Sequence, residues 1–546
     1  MQIFRLALII LFAFISIPLQ ANPPHPLADK VVLVANEDVY GSVELAKYYQ
    51  RRRKIPEDHL IILKTSDQES ITRSRYIEEI AHPILKKCIE KQWYNAIADN
   101  VDDHGRLVPI VFKKNIEYLV LFYGVPVKIS EESELNDKSV RDEFFQGQNQ
   151  SNFETGPLSK NASSIDGELS VLFLKSPPMK GFIPNPFFKE SRKKRSDVLK
   201  VTRLDGPTPK SVRKMIKNGI DGELKGIRGR AYVDEDGRGN GYQQGNDWLK
   251  ETAALWTKLG FSLSHNKNQR TFNVIDRFDS PALYAGWYAL DLNGPFKLSD
   301  FSFPPGAVAV HLHSASANPL RVDNKRWAGP FIEKGVSATL GNTSEPYLAL
   351  THHLSVFFTA LSDGYNFADA AYRALPGLSW QGVALGDPLF TPFKKSLKEQ
   401  LKDAGDPIEF RHDQYTFLRK MNLSATPIEV GLTGMRTAPG PALILEMAQA
   451  HLEEGNNAAA IKALNLLRRI NPEFSEDYIL YSEIADLAAK ISSFDIAFLI
   501  YQRLLTIPDL PAPVKRKFLQ QASPIARQSN DFRQAIKWEE ELTKLK

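Results

Sequence analysis

Two histidines two residues apart, His311 and His313, are followed directly by Ser314. On a strand, residues i and i+2 share a face, so both imidazoles are expected on one side, a geometry that zinc sites use. Zn²⁺ is the metal such a pair would take, with Glu345 or His352 approaching from the next strand end to complete the ligands. Without a metal, the same rings would hydrogen-bond the loops that cover the sheet end. A serine hydroxyl becomes a nucleophile only beside a base. Neighbouring strand residues point to opposite faces, so His313 and Ser314 couple only where the backbone turns. The catalytic candidates are thus His313, Ser314, Glu345 and His352, and the metal candidates His311 and His313.

Other chemical patterns are weaker. The chain has one cysteine, which excludes an internal disulfide framework and any Cys-based zinc or iron–sulfur site within one chain. Cys88 falls in a helical stretch, residues 76–93, beside Leu85 and Ile89, and reads as a buried apolar thiol without a polarising partner. Asp234, Glu235 and Asp236 lack the ligand spacing of an EF-hand and read as a solvated acidic loop. Residues 237–246 are Gly-rich but have neither the Lys-Ser/Thr of a P-loop nor a dinucleotide turn, and they read as a flexible loop. The basic runs 51–54 and 192–195 are short and are expected to be solvated.

The elements that would position these groups alternate short apolar runs with amphipathic helices from residue 30 to 393, which predicts an α/β fold with a mostly parallel sheet. Strands are expected over 31–35, 60–63, 118–123, 199–204, 229–233, 272–275, 307–312 and 336–340, with a helix capped by Ser42 and others over 76–93, 209–220, 247–259, 327–334 and 352–361. Gly386-Asp387-Pro388 reads as the turn that closes the region. Ligands of open α/β sheets sit beyond the carboxyl ends of the strands, which places Asn36, Ser42, Trp287, Tyr288 and Asn342 around the cleft.

Residues 396–440 are polar and punctuated by proline, and read as a connector packed on the first region. From 441 the pattern is helical only. Ala460, Ala497 and Ala535 occupy equivalent places in a period of roughly 37 residues, close to that of helix-pair repeats. These degenerate repeats resemble the tetratricopeptide superfamily, and a protein or peptide is the partner such a module would grip.

The 546 residues suggest several domains. With 69 Lys and Arg against 64 Asp and Glu the net charge is +5, and 43% of residues are hydrophobic, so the chain is globular and has no basic balance for nucleic acid. Arg5, the apolar run 6–18 and Ala21 have the form of a secretory leader over 1–21, too short to span a bilayer. The expected organisation is a leader 1–21, an α/β domain 22–395, a connector 396–440 and helical repeats 441–546. The protein is expected to be exported, to the periplasm or the exterior, with no transmembrane segment after leader cleavage.

The motifs "NEDVYGSVELAKYYQRRRKIPEDHL", "SSIDGELSVL", "GFIPNPFF", "ALYAGWYAL", "FPPGAVAVHLHSASA", "KGVSATLGNTSEPYLALTHH" and "LSWQGVALGDPLF" resemble an uncharacterised family of exported bacterial proteins over residues 30–393. More distantly, the region is similar to gingipain-type cysteine peptidases with a caspase-like sheet. That resemblance implies a glycine turn bearing a catalytic His and a following strand end bearing a catalytic Cys. Here Gly286 is followed by Trp287 where the His would stand, and His313 or Ser314 stands where the Cys would. The departure argues against cysteine-peptidase activity. Two functions follow as expectations: a binding or scaffolding protein with a degenerate caspase-like domain and an interaction module, or an exported hydrolase with a rebuilt, metal-assisted site.

Overall fold

The computed structural model describes residues 25–133, 160–190, 196–239, 241–402, 411–470 and 477–545. The leader at 1–21 and the basic run 192–195 lie outside the described residues.

Continuous apolar runs form the centre of a ten-stranded sheet. In chain order its strands are β1 (Val31–Asn36), β2 (Leu60–Leu63), β3 (Tyr118–Phe122), β4 (Lys200–Leu204), β5 (Arg230–Asp234), β6 (Leu263–Asn266), β7 (Pro281–Gly286), β8 (Val308–His311), β9 (Ala338–Asn342) and β10 (Gly382–Gly386). They lie in the order β6-β5-β7-β8-β9-β10-β4-β3-β1-β2. Pairing is parallel through β6-β5-β7-β8-β9 and through β4-β3-β1-β2, whereas β10 runs antiparallel to β9. Both faces are covered, which is why β1 and β3 are buried at every position. The side chains of β1 alternate: Val31, Leu33 and Ala35 join α1 (Ser42–Arg53) and α3 (Pro209–Lys225) in one core. Val32 and Val34 join α2 (His82–Glu90) in another, which also buries Cys88. Burial there pushes the Cys88 thiol up, away from the reactive thiolate. Helices α4 (Gln243–Leu259), α5 (Leu354–Ser362) and α6 (Phe367–Ala374) build a third core against β5, β7 and β8.

Several elements differ from expectation. The edge strand beside β5 is β6, not residues 272–275, because Phe272 turns inward to pack on Tyr232 and Phe278. The helix expected over 76–93 starts as a π-helical turn, Tyr76–Ala81, and stops at Glu90. An antiparallel hairpin, Tyr94–Val101 with Leu107–Lys114, stands apart from the main sheet. The segment read as a closing turn at 386–388 follows a strand, β10, and Asp387 is buried there with Arg53 Nε at 2.6 Å and the Tyr49 hydroxyl at 2.5 Å. Arg53 therefore leaves the solvated basic run and is buried with Asp387 and Glu223.

The stretch read as a polar connector is helical. It holds α7 (Leu397–Lys402), α8 (Gln414–Met421) and α9 (Pro427–Thr437), the last opened by a Thr426–Glu429 capping box. Six more helices follow: α10 (Pro441–Glu453), α11 (Asn457–Leu464), α12 (Tyr478–Lys490), α13 (Phe494–Leu504), α14 (Ala512–Gln528) and α15 (Phe532–Lys544). They pack as consecutive pairs. Ala460, Ala497 and Ala535, each in the first turns of the second helix of a pair, are fully buried and let the paired helices approach. Tyr415 of α8 and Val430 of α9 belong to the same apolar cluster. The fold is thus an α/β region followed by an all-α region, as its patterning predicts.

The two regions meet over buried charge. Glu446 of α10 accepts from Arg230 Nη1 at 2.9 Å and Arg277 Nη1 at 3.1 Å. Asp279 lies 2.7 Å from Arg277 Nε and 2.6 Å from His412 Nδ1. Arg230 opens β5, and Ser262, which bonds Thr416 of α8, directly precedes β6. The helices therefore dock at the amino-terminal ends of these strands. Among the described residues no helix is long and apolar enough to cross a membrane.

Candidate binding site at the carboxyl ends of the strands

Three strand ends build the site. β7 stops at Gly286, where a side chain would meet the Tyr284 hydroxyl at 2.4 Å and Asp234 Cβ at 2.9 Å, so glycine alone fits. The chain then delivers Trp287, whose Nε1 donates to Asn246 Oδ1 at 2.8 Å. Gly245 leaves room for the indole, since a Cβ there would come within 2.2 Å of Trp287 Cζ2. β8 ends at His311 and β9 at Asn342, whose Nδ2 donates to Thr351 Oγ1 at 3.0 Å.

Between these ends the side chains converge. The Tyr288 and Ser314 hydroxyls lie 2.7 Å apart, and Ser314 Oγ donates to the Glu345 carboxylate. Glu345 Oε1 also accepts from the Tyr347 N–H at 2.8 Å. The His313 ring stacks on Tyr288, with centroids 4.6 Å apart. Burial lowers the His313 pKa, as does Arg326, while Glu345 opposes the shift. Together with Trp287, Leu312, Asn342, Pro346 and Leu348 these groups line a pocket of about 110 Å³. A second cavity of about 380 Å³ lies across the shared Trp287–Tyr288 wall, with Glu235, Asp236, Thr271 and Asn293 among its lining.

Other candidates go elsewhere. His311 does not share a face with His313, because the strand ends at His311 and its alternation stops there. Its Nε2 accepts from the Ala289 N–H at 3.0 Å, so the neutral ring carries its proton on Nδ1, 2.9 Å from the Tyr284 oxygen. Burial holds it neutral. With both nitrogens engaged, His311 has no lone pair for a metal. His352 is buried away from Ser314, under Gly382, and burial lowers its pKa to about 3. Among the described residues no group of three His, Cys, Asp or Glu is placed to hold a metal ion, so the residues present do not fit zinc.

Asn36 and Ser42 are buried staples and not cleft walls. Ser42 Oγ accepts from the Asn36 N–H at 2.9 Å, and Asn36 Nδ2 donates to the Thr65 and Gly124 carbonyls at 3.0 and 2.9 Å. The cap of α1 is Gly41, in left-handed geometry, so Ser42 is its first residue.

The acidic run is likewise buried. Asp234 accepts from Asn266 Nδ2 at 2.7 Å and the Tyr284 hydroxyl at 3.2 Å, Glu235 meets His265 Nε2 at 2.5 Å, and Asp236 pairs with Arg238. No sequence signal marks Asn246, which holds both the Trp287 indole and the Asp236 N–H. A Gly-rich surround conceals it.

Chemically, the pocket presents one exposed carboxylate, two hydroxyls and aromatic walls. Among the described residues the side-chain partners of Ser314 Oγ are Tyr288 and Glu345. His313 Nδ1 instead faces the Ala315 N–H at 3.4 Å. Hydroxyl activation calls for a base aligned on the oxygen, and no imidazole is so aligned.

No family model matches the chain, and no curated protein matches it in sequence. A solved structure described as that of a protease is similar over 67% of this chain and 79% of its own, at 12% identity and a TM-score of 0.39.

Proposed function

We propose that the protein is an exported, non-peptidase binding protein, in which a degenerate caspase-like sheet end holds a ligand and the helical repeats hold a protein or peptide partner. The observation that carries this reading is the occupancy of Ser314 Oγ by Tyr288 and Glu345, with no imidazole directed at it. The position of the only thiol supports it, since Cys88 is buried in α2, a helix of another core. The glycine turn at Gly286 and the strand end at 311–314 lie on paired strands, as the gingipain-type resemblance implies, but without its catalytic pair.

A second reading, a hydrolase rebuilt around Ser314, is favoured by one observation: the direct contact of its hydroxyl with a carboxylate. Incubation with a proteome-derived peptide library separates the two. The binding reading expects a subset of peptides to co-elute with the protein, lost in Ser314→Trp, and no new peptide termini. New termini that vanish in Ser314→Ala would establish the hydrolase instead, and termini that vanish in Cys88→Ala would restore the cysteine-peptidase reading.

A further inference from the structure

A cavity of about 530 Å³ lies in the seam between the α/β and helical regions, within the range of small-molecule sites. It is at the far end of β7 from the Ser314 pocket, since Ser280 and Pro281 at the start of that strand line it. Phe278, Leu298 and Phe301 supply an apolar wall from one region, and Tyr478 and Leu480 supply the facing wall from α12.

Most of its charges are already matched. Asp279 is bonded to Arg277 and His412, and Arg411 Nη2 lies 3.4 Å from Asp477. Three groups are not. Tyr478 is 7% exposed and lines the cavity, and its hydroxyl makes no hydrogen bond among the described residues. Asp300, exposed at the rim, lines the same cavity as Tyr478 and forms no ion pair among the described residues. The unmatched set is thus two carboxylates, Asp276 and Asp300, and one phenol oxygen over aromatic faces, and the complement of that set is a cation with an apolar body.

We propose that the seam cavity binds a small amphipathic amine, its ammonium between the Asp300 carboxylate and the Tyr478 oxygen and its apolar part against Phe278 and Phe301. The ammonium donates to both oxygens, and an anion of the same shape is repelled. Both regions contribute walls, so the occupant binds only the docked arrangement and stabilises it.

Calorimetric titration of the purified full chain with phenethylamine, phenethyl alcohol and phenylacetate tests this. Phenethylamine is expected to bind, the alcohol about tenfold more weakly, and phenylacetate not at all. Tyr478→Phe and Asp300→Asn should each weaken phenethylamine about tenfold, while Glu345→Gln, in the other pocket, leaves its affinity unchanged. The proposal is overturned by absent phenethylamine binding, by equal affinity for the three probes, by an affinity indifferent to Tyr478→Phe or Asp300→Asn, or by loss of binding in Glu345→Gln.

Discussion

His311 lies flat on Trp327, with ring centroids 3.6 Å apart and planes inclined by 13°. The stack closes a buried line of polar groups that runs from the Ala289 N–H through His311 and the Tyr284 hydroxyl to Asp234. An imidazole is kept in a core of apolar strands because it is flat enough to stack and can accept on one side while donating on the other. It ties the chain beyond Gly286 to the end of β8, and so fixes Tyr288 opposite Ser314.

Truncation of that ring should therefore cost stability. His311→Ala removes the stack and strands the Ala289 N–H, while Tyr284 keeps Asp234, a loss of about 2–4 kcal/mol in urea unfolding. Zn²⁺ should leave the unfolding midpoint of the native chain unchanged, because both ring nitrogens are taken. A midpoint raised by the metal in the native chain but not in His311→Ala would contradict this.

A pH dependence follows from Asp234, whose carboxyl burial pushes up to about 7. The folded chain keeps that proton until about pH 7, whereas the unfolded chain releases it near 4. This contribution is complete below about pH 4 and declines by about 1.4 kcal/mol per unit as pH rises through that window. Buried His311 acts in the opposite sense, since only the unfolded chain takes up its proton below about 6.5. Asp234→Asn should make the slope of stability against pH more positive by about 1.4 kcal/mol per unit between roughly 5 and 6.5. Unfolding curves at several pH values measure it, and an unchanged slope would show that Asp234 is ionised in the folded chain.

Arg203 is the next point of vulnerability. Its guanidinium is fully buried, 2.6 Å from Asp166 Oδ2 and 3.0 Å from Asp205 Oδ2. Arg203→Met leaves Asp166 without its cation and should cost about 3–5 kcal/mol, part of which Asp166→Leu restores in the double variant. Asp205 keeps Arg321 at 2.9 Å. Equal stability of the native chain and Arg203→Met would refute the assignment.

At the seam, Glu446→Ala removes the carboxylate shared by Arg230 and Arg277. A loss of roughly 2–5 kcal/mol from the docking is expected. Limited trypsin digestion should then release the helical fragment at least about tenfold faster. Release at the native rate would mean that apolar contacts alone hold the regions together.

The sheet was largely legible, because strands buried on both faces must be continuous apolar runs, as at Val31 to Ala35. The hairpin of Tyr94–Val101 was not, since its outer face mixes Asn95, Ile97 and Asp99, and only the Asp-Asp-His-Gly turn at 102–105 signalled it. Arg53 reads as part of a solvated run and Asp387 as part of a turn, because pairing across 334 positions leaves no local trace. Of the site, Tyr288, His313, Ser314, Asn342 and Glu345 were marked by the rule that ligands lie beyond strand ends, and the structure brings them together. Alternation misplaces His311, because β8 stops there and His313 lies beyond the strand. Tyr478 carries no motif, as its environment is made by two regions distant in sequence.

The reversal of β10 decides where the rest of the chain can go. Thr343, just past β9, bonds Gln381, just ahead of β10, so β10 begins at the pocket's end of the sheet and carries the backbone away from it. The helical region thus emerges at the opposite pole. Had β10 run with β9, the nine helices α7–α15 would crowd the mouth of the pocket. The helical region and the Ser314 pocket are instead separated by the length of the strands, about 17–20 Å, and neither obstructs the other.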